Sequence, residues 1–330
     1  MTSPNDKINI MDQAASKDVK TENPFNLVPN VLNTRSGVLK LDYENETVEL
    51  LGKRPEYMFS YCIDCYYDPS AGPTELEEVL TKILDEDQLE FAYQIPALAL
   101  RHVDIKLTPA KVAYIFKGGR NTGKSIVHGF FANLLGKSVI SRIAFKDIVE
   151  NKFAKPMLEG RLLNLDDELP ESLHTEETRE LKNITGNKFH YLEPKNMKPY
   201  DGIITAILLF AGNQFPTCDI KKSADAFWER FDIIYFRHTF ETNDSFVASV
   251  HNRNNMSSFL NKVILKMFEL HKNSKQDVKR NVSKEEIYDI WQNSSSTLYA
   301  FVKDAMIVSL RACLNIQAIS VLHQLDQEII

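Results

Sequence analysis

The sequence contains little cysteine and no long hydrophobic run. Its four cysteines are Cys62, Cys65, Cys218 and Cys313, and only the first two form a C-x-x-C pair. A zinc site needs more Cys or His ligands at short spacing, which the other two cysteines do not offer, so we expect reduced structural thiols. No apolar segment reaches the roughly 20 residues that cross a bilayer, and the N-terminal residues lack the apolar segment of a secretory signal. We therefore expect a cytoplasmic protein.

An excess of positive charge is also missing. The formal net charge is −6 and the sequence pI is about 5.8. This balance argues against a broad basic face that coats nucleic acid, although a few loops could still contact nucleic acid. With 330 residues, of which 43% are hydrophobic and 25% are charged, the chain has the composition of a globular protein of two or three domains.

Composition and periodicity divide the chain into four parts. Residues 1–24 are polar and aperiodic, so they predict a disordered lead-in. Residues 25–100 form a mixed N-terminal module, in which "VLNTRSGVLKLDYENETVELL" alternates like a hairpin and "TELEEVLTKIL" has helical spacing. We predict an α/β core over residues 101–240 and a helical segment over 241–330, which includes "MSSFLNKVILKMFELHKN", "SKEEIYDIWQ" and "STLYAFVKDAMIVSLRACL".

Within the core, four short apolar runs predict buried strands. They are Lys111 to Phe116, "RLLNLDDELP", "GIITAILLFAGNQFP" and "FDIIYF". Helical segments separate them, among them "SIVHGFFANLLG", which ends at Gly136. Buried strands that alternate with helices are typical of an α/β sheet.

The segment "GGRNTGKS" matches G-x-x-x-x-G-K-[ST] between a predicted strand and a predicted helix. In such a P-loop, backbone N–H groups surround a phosphate, the lysine reaches the terminal phosphates and the hydroxyl binds Mg²⁺. The alternative is a glycine-rich turn that matches by chance. The predicted nucleotide-binding residues are Gly118, Gly119, Arg120, Asn121, Thr122, Gly123, Lys124 and Ser125.

Three acids end the next predicted strand: Asp166, Asp167 and Glu168. A P-loop enzyme needs an acid at a neighbouring strand end to hold Mg²⁺ and to polarise the attacking water. We predict Ser125, Asp166 and Asp167 near the metal and Glu168 on the water, although which acid has which role stays open. Alone, a run of acids is usually a solvated strand end.

Two further polar residues lie next to predicted strands, one at the end of a strand and one just before a strand. Asn213 ends "AILLFAGN", where an amide could orient water, or it belongs to a plain turn. Arg230 precedes "FDIIYF", where it would suit an arginine finger that reaches a neighbouring subunit, or it pairs with Glu229 or Asp232 on the surface.

The segment "KNITGNKFHYLEPKNMKPYDG" predicts two short strands around a turn that carries Lys195 and Lys198. Lysines on a hairpin tip that faces a channel would contact phosphates without reading bases; otherwise they are solvated. We expect His190 to pack in the hairpin or to lie on its surface, and not to bind a ligand.

The order of these motifs resembles the superfamily 3 helicases of the phage and plasmid primase-helicase family, and is similar to the poxvirus helicase-primase. The resemblance rests on "NTRSGVLKLD", "CYYDPSAGPTELEEVL", "GGRNTGKS", "GRLLNLDDEL", "LKNITGNKFHYLEPKNMKPY", "LLFAGNQFP", "MSSFLNKVILKMFEL" and "SKEEIYDIWQNSSSTLYAFVKD". It implies an AAA+ type P-loop ATPase core with an N-terminal α+β helicase-associated module and a helical C-terminal segment.

In that family ATP lies between the subunits of a hexameric ring and single-stranded DNA passes through the centre. The resemblance therefore implies ATP and Mg²⁺ as cofactors, and DNA, further copies of the chain and, optionally, a separate primase or polymerase as partners. It makes Lys124, Asp167, Glu168, Asn213 and Arg230 catalytic and Lys195 and Lys198 the channel contacts. Where the family often has paired arginines this chain has Glu229-Arg230, so finger and sensor roles both stay open for Arg230.

The sequence thus favours an ATP-dependent, ring-forming DNA helicase that replicates a phage, prophage or plasmid. Because only about 24 polar residues precede the module, we expect no primer synthesis by this chain, and a winged-helix module typical of the family is not evident. The alternative is a truncated, non-unwinding nucleotide-binding accessory protein. A GTPase is disfavoured because no N-K-x-D signature occurs, and a kinase because no second substrate site is evident.

Overall fold

The computed structural model describes eight segments of the chain: residues 28–101, 112–169, 172–173, 175–186, 189–218, 225–241, 250–272 and 280–295. Two predictions, the lead-in of residues 1–24 and the helix of residues 296–314, lie outside the described residues.

A five-stranded parallel sheet forms the centre of a mixed α/β fold. Its strands are β4 (Ala113–Gly118), β5 (Ile140–Ser141), β6 (Leu163–Asp166), β10 (Ile207–Gly212) and β12 (Phe231–Phe236), in the spatial order β12-β4-β10-β6-β5. Every neighbouring pair is parallel. The four strands predicted in the core are therefore confirmed, while the two-residue β5 was not predicted.

Both faces of this sheet are covered, as is usual for parallel strands. Successive side chains point to opposite faces, so Tyr114 and Phe116 of β4 join one hydrophobic cluster and Ala113 and Ile115 join another. The continuous apolar runs in the sequence follow from this double burial.

Helix α4 (Lys124–Leu135) packs on the first face of the sheet, where its residues Val127, Phe130 and Phe131 are buried. The same cluster includes residues of α1 (Glu75–Ile83), α3 (Phe91–Arg101) and α8 (Arg253–Lys272), so the N-terminal part of the chain and the C-terminal helix pack together over the sheet. Helices α1, α4 and α8 confirm predicted helices, whereas α3, which contains Pro96, was not predicted.

The second face carries α5 (Phe145–Glu150), α6 (Thr175–Gly186), α7 (Asp225–Trp228) and α9 (Lys284–Ser295). An aromatic group fixes this layer, because Trp291 of α9 contacts the rings of Phe215, Phe227 and Phe231 at centroid distances of 5.2, 6.4 and 4.9 Å. Helix α9 confirms the prediction made from "SKEEIYDIWQ".

The N-terminal strands form a separate antiparallel sheet of β1 (Val31–Asn33), β2 (Val38–Asp42) and β3 (Thr47–Leu51). The region predicted as a hairpin is thus a three-stranded meander, because the turn after Asn33, closed by the Thr34 N–H on the Gly37 carbonyl, adds a strand before the predicted pair. The short helix α2 (Glu86–Leu89) follows α1 in the chain.

Two small sheets lie outside the core. Strands β8 (Phe189–Leu192) and β9 (Tyr200–Ile203) form the predicted hairpin, with antiparallel register from Phe189 opposite Ile203 to Leu192 opposite Tyr200. Strands β7 (Ser172–Leu173) and β11 (Thr217–Cys218) pair in parallel.

Strand β12 is the outermost strand of the sheet, and side chains from other elements hydrogen-bond to it. The Gln88 Oε1 accepts the Tyr235 N–H at 3.0 Å, and the Asn281 amide donates to the same oxygen at 2.8 Å. Asp232, which is fully buried, accepts the N–H groups of Asn281 and Val282. These bonds tie α2 and the segment before α9 to the sheet.

Within the residues that the structure describes, no helix has both the length and the apolar character that crossing a membrane requires.

Candidate functional site

The candidate site lies at the edge of the sheet where β4, β6 and β10 end. Because these strands are parallel and adjacent, their carboxyl ends meet there. The segment Gly118 to Ser125, called the glycine loop below, follows β4; the acids follow β6; and Asn213 follows β10. The structure therefore brings together three of the motifs predicted from the sequence.

The glycine loop has a backbone that few residue types allow. Gly123 has φ +91°, and a Cβ at this position would lie 2.8 Å from Cγ2 of Ile83 in α1. Gly118 is equally restricted, since a Cβ would lie 2.7 Å from the Phe236 carbonyl oxygen. Glycine is required here because the loop turns in the left-handed region and runs close against α1 and β12.

Lys124, the first residue of α4, turns its ammonium group back into the loop. It donates to the carbonyl oxygens of Gly118 at 2.8 Å and Gly119 at 2.5 Å, and to the Asn213 Oδ1 at 3.2 Å. The pKa of Lys124 is lowered by partial burial and by neighbouring Lys117, an effect that Asp167 partly offsets. Thr122 closes the loop by donating to Gly119, while Arg120, Asn121 and Ser125 are exposed.

The two aspartates at the end of β6 have different environments. Asp166 accepts the backbone N–H of Phe145 at 3.1 Å and that of Glu168 at 3.4 Å, and burial raises its pKa. The pKa of Asp167 is instead lowered, chiefly by a hydrogen bond from His128 and also by Arg142 and Lys124. Asp166 thus holds the start of α5, whereas Asp167 belongs to the electrostatic surroundings of the loop. Glu168 is exposed beside them.

Three side chains at this edge were not predicted. His128 bonds Asp167, Arg142 lies 3.9 Å from the other oxygen of Asp167, and Lys117 donates to the Asn213 carbonyl. Lys117 also lies over the ring of Phe215, 5.3 Å from its centroid. The only sequence signal for His128 is its position four residues after Lys124, which places both on one face of a helix.

Among the described residues, no group of three or more His, Cys, Asp or Glu side chains has the arrangement of a metal site. The free thiols of Cys62 and Cys65 lie elsewhere, and burial raises the pKa of Cys65 to about 12.

Arg230 lies at the opposite edge of the sheet. Phe231 pairs with Ala113 and Phe236 pairs with Gly118, so Arg230 is beside the amino end of β4. At about 3.3 Å per residue, it is roughly 20 Å from the glycine loop of its own chain. Its guanidinium group packs beside Gly186 at the end of α6. The structure therefore does not bring Arg230 to the other predicted site residues.

Lys195 and Lys198 are exposed in the turn between β8 and β9, and Asn196 between them has φ +62°. Phe189, Tyr191 and Met197 of the same hairpin are more than half exposed, whereas His190 is buried, as expected for a packing residue. Strand β9 is followed in the chain by β10. The hairpin that carries these lysines therefore lies, along the sequence, between the acids and Asn213.

Residues 116–230 match the family described as "Family of unknown function (DUF5906)". This segment begins in β4 and ends at Arg230. No curated protein matches the chain.

Solved structures of the C-terminal region of NrS-1 have a similar fold. One superposes with a TM-score of 0.53 at 18% identity and covers 82% of this chain and 60% of that one. A second has a TM-score of 0.50 at 20% identity and covers 78% of this chain and 59% of the other. The present chain therefore spans less than two thirds of the NrS-1 region it matches, and the likeness concerns the fold.

Proposed function

We propose that this chain is an AAA+ type P-loop ATPase that acts as a DNA helicase in the replication of a phage, prophage or plasmid. The observation that carries the proposal is the convergence of Lys124, Asn213 and Asp167 at one edge of a parallel sheet. A cation, an amide and a carboxylate around a glycine-rich turn are the groups that phosphoryl transfer to water requires.

Each group has a role in this proposal. The backbone N–H groups of the glycine loop and the start of α4 bind the phosphates of ATP, and Lys124 exchanges its carbonyl partners for phosphate oxygens. Asn213, which already contacts Lys124, orients the attacking water. Glu168 accepts the proton of this water, since it is exposed and its neighbour Asp166 is occupied by backbone N–H groups.

The side chains fit a magnesium ion. Magnesium prefers oxygen ligands and usually takes one or two carboxylates together with substrate phosphates and water. Ser125 and Asp167 would supply a hydroxyl and an ionised carboxylate, whereas both oxygens of Asp166 already accept backbone N–H groups. When bound, the ion would neutralise the negative charge that develops on the transferred phosphoryl group.

Arg230 completes the site of a neighbouring subunit in this proposal. Its distance from its own glycine loop argues against a contact within one chain, whereas a ring of six subunits would bring the arginine edge of one copy to the loop edge of the next. Lys195 and Lys198 then face the centre of the ring and contact single-stranded DNA.

The first test measures ATP turnover by the purified chain with and without single-stranded DNA. We expect stimulation by DNA, and a loss of at least about 100-fold in turnover for Lys124→Ala, as for other groups that stabilise transition-state charge. Lys137→Ala is the matched control, because Lys137 is an exposed lysine just beyond the other end of the same helix.

Turnover that Lys124→Ala leaves unchanged would refute the assignment of the glycine loop. Nucleotide binding without DNA-stimulated turnover in a folded sample would favour the accessory protein that binds nucleotide and does not unwind DNA.

A further inference from the structure

His128 lies one helical turn after Lys124 and points from α4 toward the acids. Residues four apart share one face of a helix, so α4 presents the lysine to the loop and the histidine to Asp167. The His128 side chain is only 4% exposed, whereas that of Asp167 is 57% exposed. The contact therefore joins a buried donor to an acid at the surface of the site.

The geometry determines which nitrogen carries a proton toward the acid. The His128 Nδ1 lies 2.7 Å from the Asp167 Oδ1, and a carboxylate oxygen requires a donor, so Nδ1 is protonated. The Nε2 is buried and has no hydrogen-bond partner among the described residues. The ring is held by stacking on Phe116, at a centroid distance of 5.1 Å and an interplanar angle of 29°.

The neighbouring acid lacks such a partner. Asp166 is fixed by backbone N–H groups, which any residue except proline would supply at positions 145 and 168. Asp167 has a different partner on each oxygen: its Oδ1 accepts from the buried His128 at 2.7 Å, and its Oδ2 is 3.9 Å from the exposed Arg142. The contact with His128 is the shorter of the two and comes from a buried side chain, so it restricts the Asp167 carboxylate more closely than the contact with Arg142 does.

We propose that His128 is a positioning residue that fixes the Oδ1 of Asp167 and thereby holds this carboxylate in place to serve the magnesium ion of the nucleotide site. This inference rests on the proposed function. Partners of metal-binding carboxylates commonly change metal affinity by 10- to 100-fold when they are removed. A histidine that only filled space would instead affect folding stability.

Two substitutions separate these roles. His128→Leu keeps an apolar side chain against Phe116 but removes the donor, and His128→Asn retains an N–H group near the position of Nδ1. His251→Leu is the matched control, since His251 also contacts α4, through Asn133 at 2.8 Å, but lies away from the acids.

Two quantities are measured for each variant. The first is the rise in thermal midpoint caused by a non-hydrolysable ATP analogue, with and without Mg²⁺; the second is the Mg²⁺ concentration that half-saturates ATP turnover. We expect His128→Leu to lose the Mg²⁺-dependent part of the thermal shift and to raise the half-saturating concentration by 10-fold or more. His128→Asn should stay within about threefold of the wild type, and His251→Leu should match it.

The possible outcomes are distinct. A normal Mg²⁺ response in folded His128→Leu would overturn the positioning role and leave the proposed function intact. Equal losses in His128→Asn and His128→Leu would also overturn it, because the donor would then not matter. If the analogue shifts neither the wild type nor Lys124→Ala, the proposed function fails, and the role of His128 fails with it.

Discussion

Asp232 differs from the acids of the candidate site in being fully buried, and it accepts backbone N–H groups of Ile233, Asn281 and Val282. Desolvation raises its pKa to about 6, although the hydrogen bonds from Asn281 and Val282 oppose this shift. The folded protein therefore binds a proton at Asp232 more tightly than the unfolded chain, whose Asp has its ordinary value near 3.8.

This shift predicts an unusual pH dependence of stability. Between the unfolded and folded pKa values the folded state holds the extra proton, so the contribution of Asp232 to stability increases as pH falls through about 6. Relative to Asp232→Asn, the wild type should gain about 1 kcal/mol between pH 7.5 and pH 5. Urea unfolding of both proteins at the two pH values would measure this difference, and parallel pH profiles would contradict it.

At the residue scale, the position of the glycine loop between a strand and a helix could be predicted, since β4 and α4 flank it. The glycines, Lys124 and Ser125 are neighbours in the chain, so their spacing is visible. His128 and Arg142 could not be assigned in this way, since each meets Asp167 only after β4, β5 and β6 have assembled. Asp232 was considered only as a partner of Arg230, and its bonds to Asn281 and Val282 join residues about 50 positions apart.

The β8–β9 hairpin is the element for which sequence and structure agree most directly. Its exposed turn carries Lys195 and Lys198, and exposed and buried residues alternate along β8. If the lysines contact DNA phosphates, each contact releases condensed counterions and makes the affinity depend on salt.

We predict that Lys195→Ala and Lys198→Ala each weaken binding of single-stranded DNA without changing its sequence preference. Each substitution should reduce the slope of log affinity against log salt by about 0.7. Fluorescence anisotropy with labelled oligonucleotides at several salt concentrations would measure the slopes. Lys262 is an exposed lysine of α8, so Lys262→Ala is the control and should leave the slope unchanged. If Lys195→Ala and Lys198→Ala also keep the wild-type slope, the hairpin does not contact phosphates.

Elements with a clear local sequence pattern could be predicted, whereas elements that depend on tertiary packing could not. The strands β4, β6, β10 and β12 are buried on both faces and appear as continuous apolar runs. Helix α3 was missed because Pro96 interrupts a helical pattern, yet packing against α8 and the sheet holds it. The register and order of the sheet depend on contacts between distant segments, which no local pattern reports.

At the scale of the whole molecule, the predicted site residues divide between two edges of the sheet. The glycine loop, Asp167 and Asn213 lie at the carboxyl edge, and Arg230 lies at the amino edge. If both groups act in one reaction, the arginine must come from another copy of the chain.

This division predicts complementation between two inactive variants. Lys124→Ala lacks a functional loop but keeps Arg230, and Arg230→Ala has the reverse defect. A random equal mixture should recover about a quarter of the wild-type ATP turnover, because one interface in four then combines an intact loop with an intact arginine. Each variant alone should be inactive.

The mixture must be formed under conditions that allow subunits to exchange, and light scattering with ATP and Mg²⁺ would establish its size. No recovery in a mixed assembly, with each variant inactive alone, would show that Arg230 does not act on the loop of a neighbouring copy. Full activity of Arg230→Ala alone would remove the arginine from the mechanism.

The separation of loop and arginine also restricts the symmetry with which copies can associate. A twofold pair joins the same patch of both copies, so its single contact surface would have to include both edges of the sheet. A head-to-tail contact needs only one edge from each copy and leaves the other edges available. If Arg230 does act on the loop of a neighbouring copy, such a contact would repeat until rotation closes it, and would produce rings, or open filaments where closure fails.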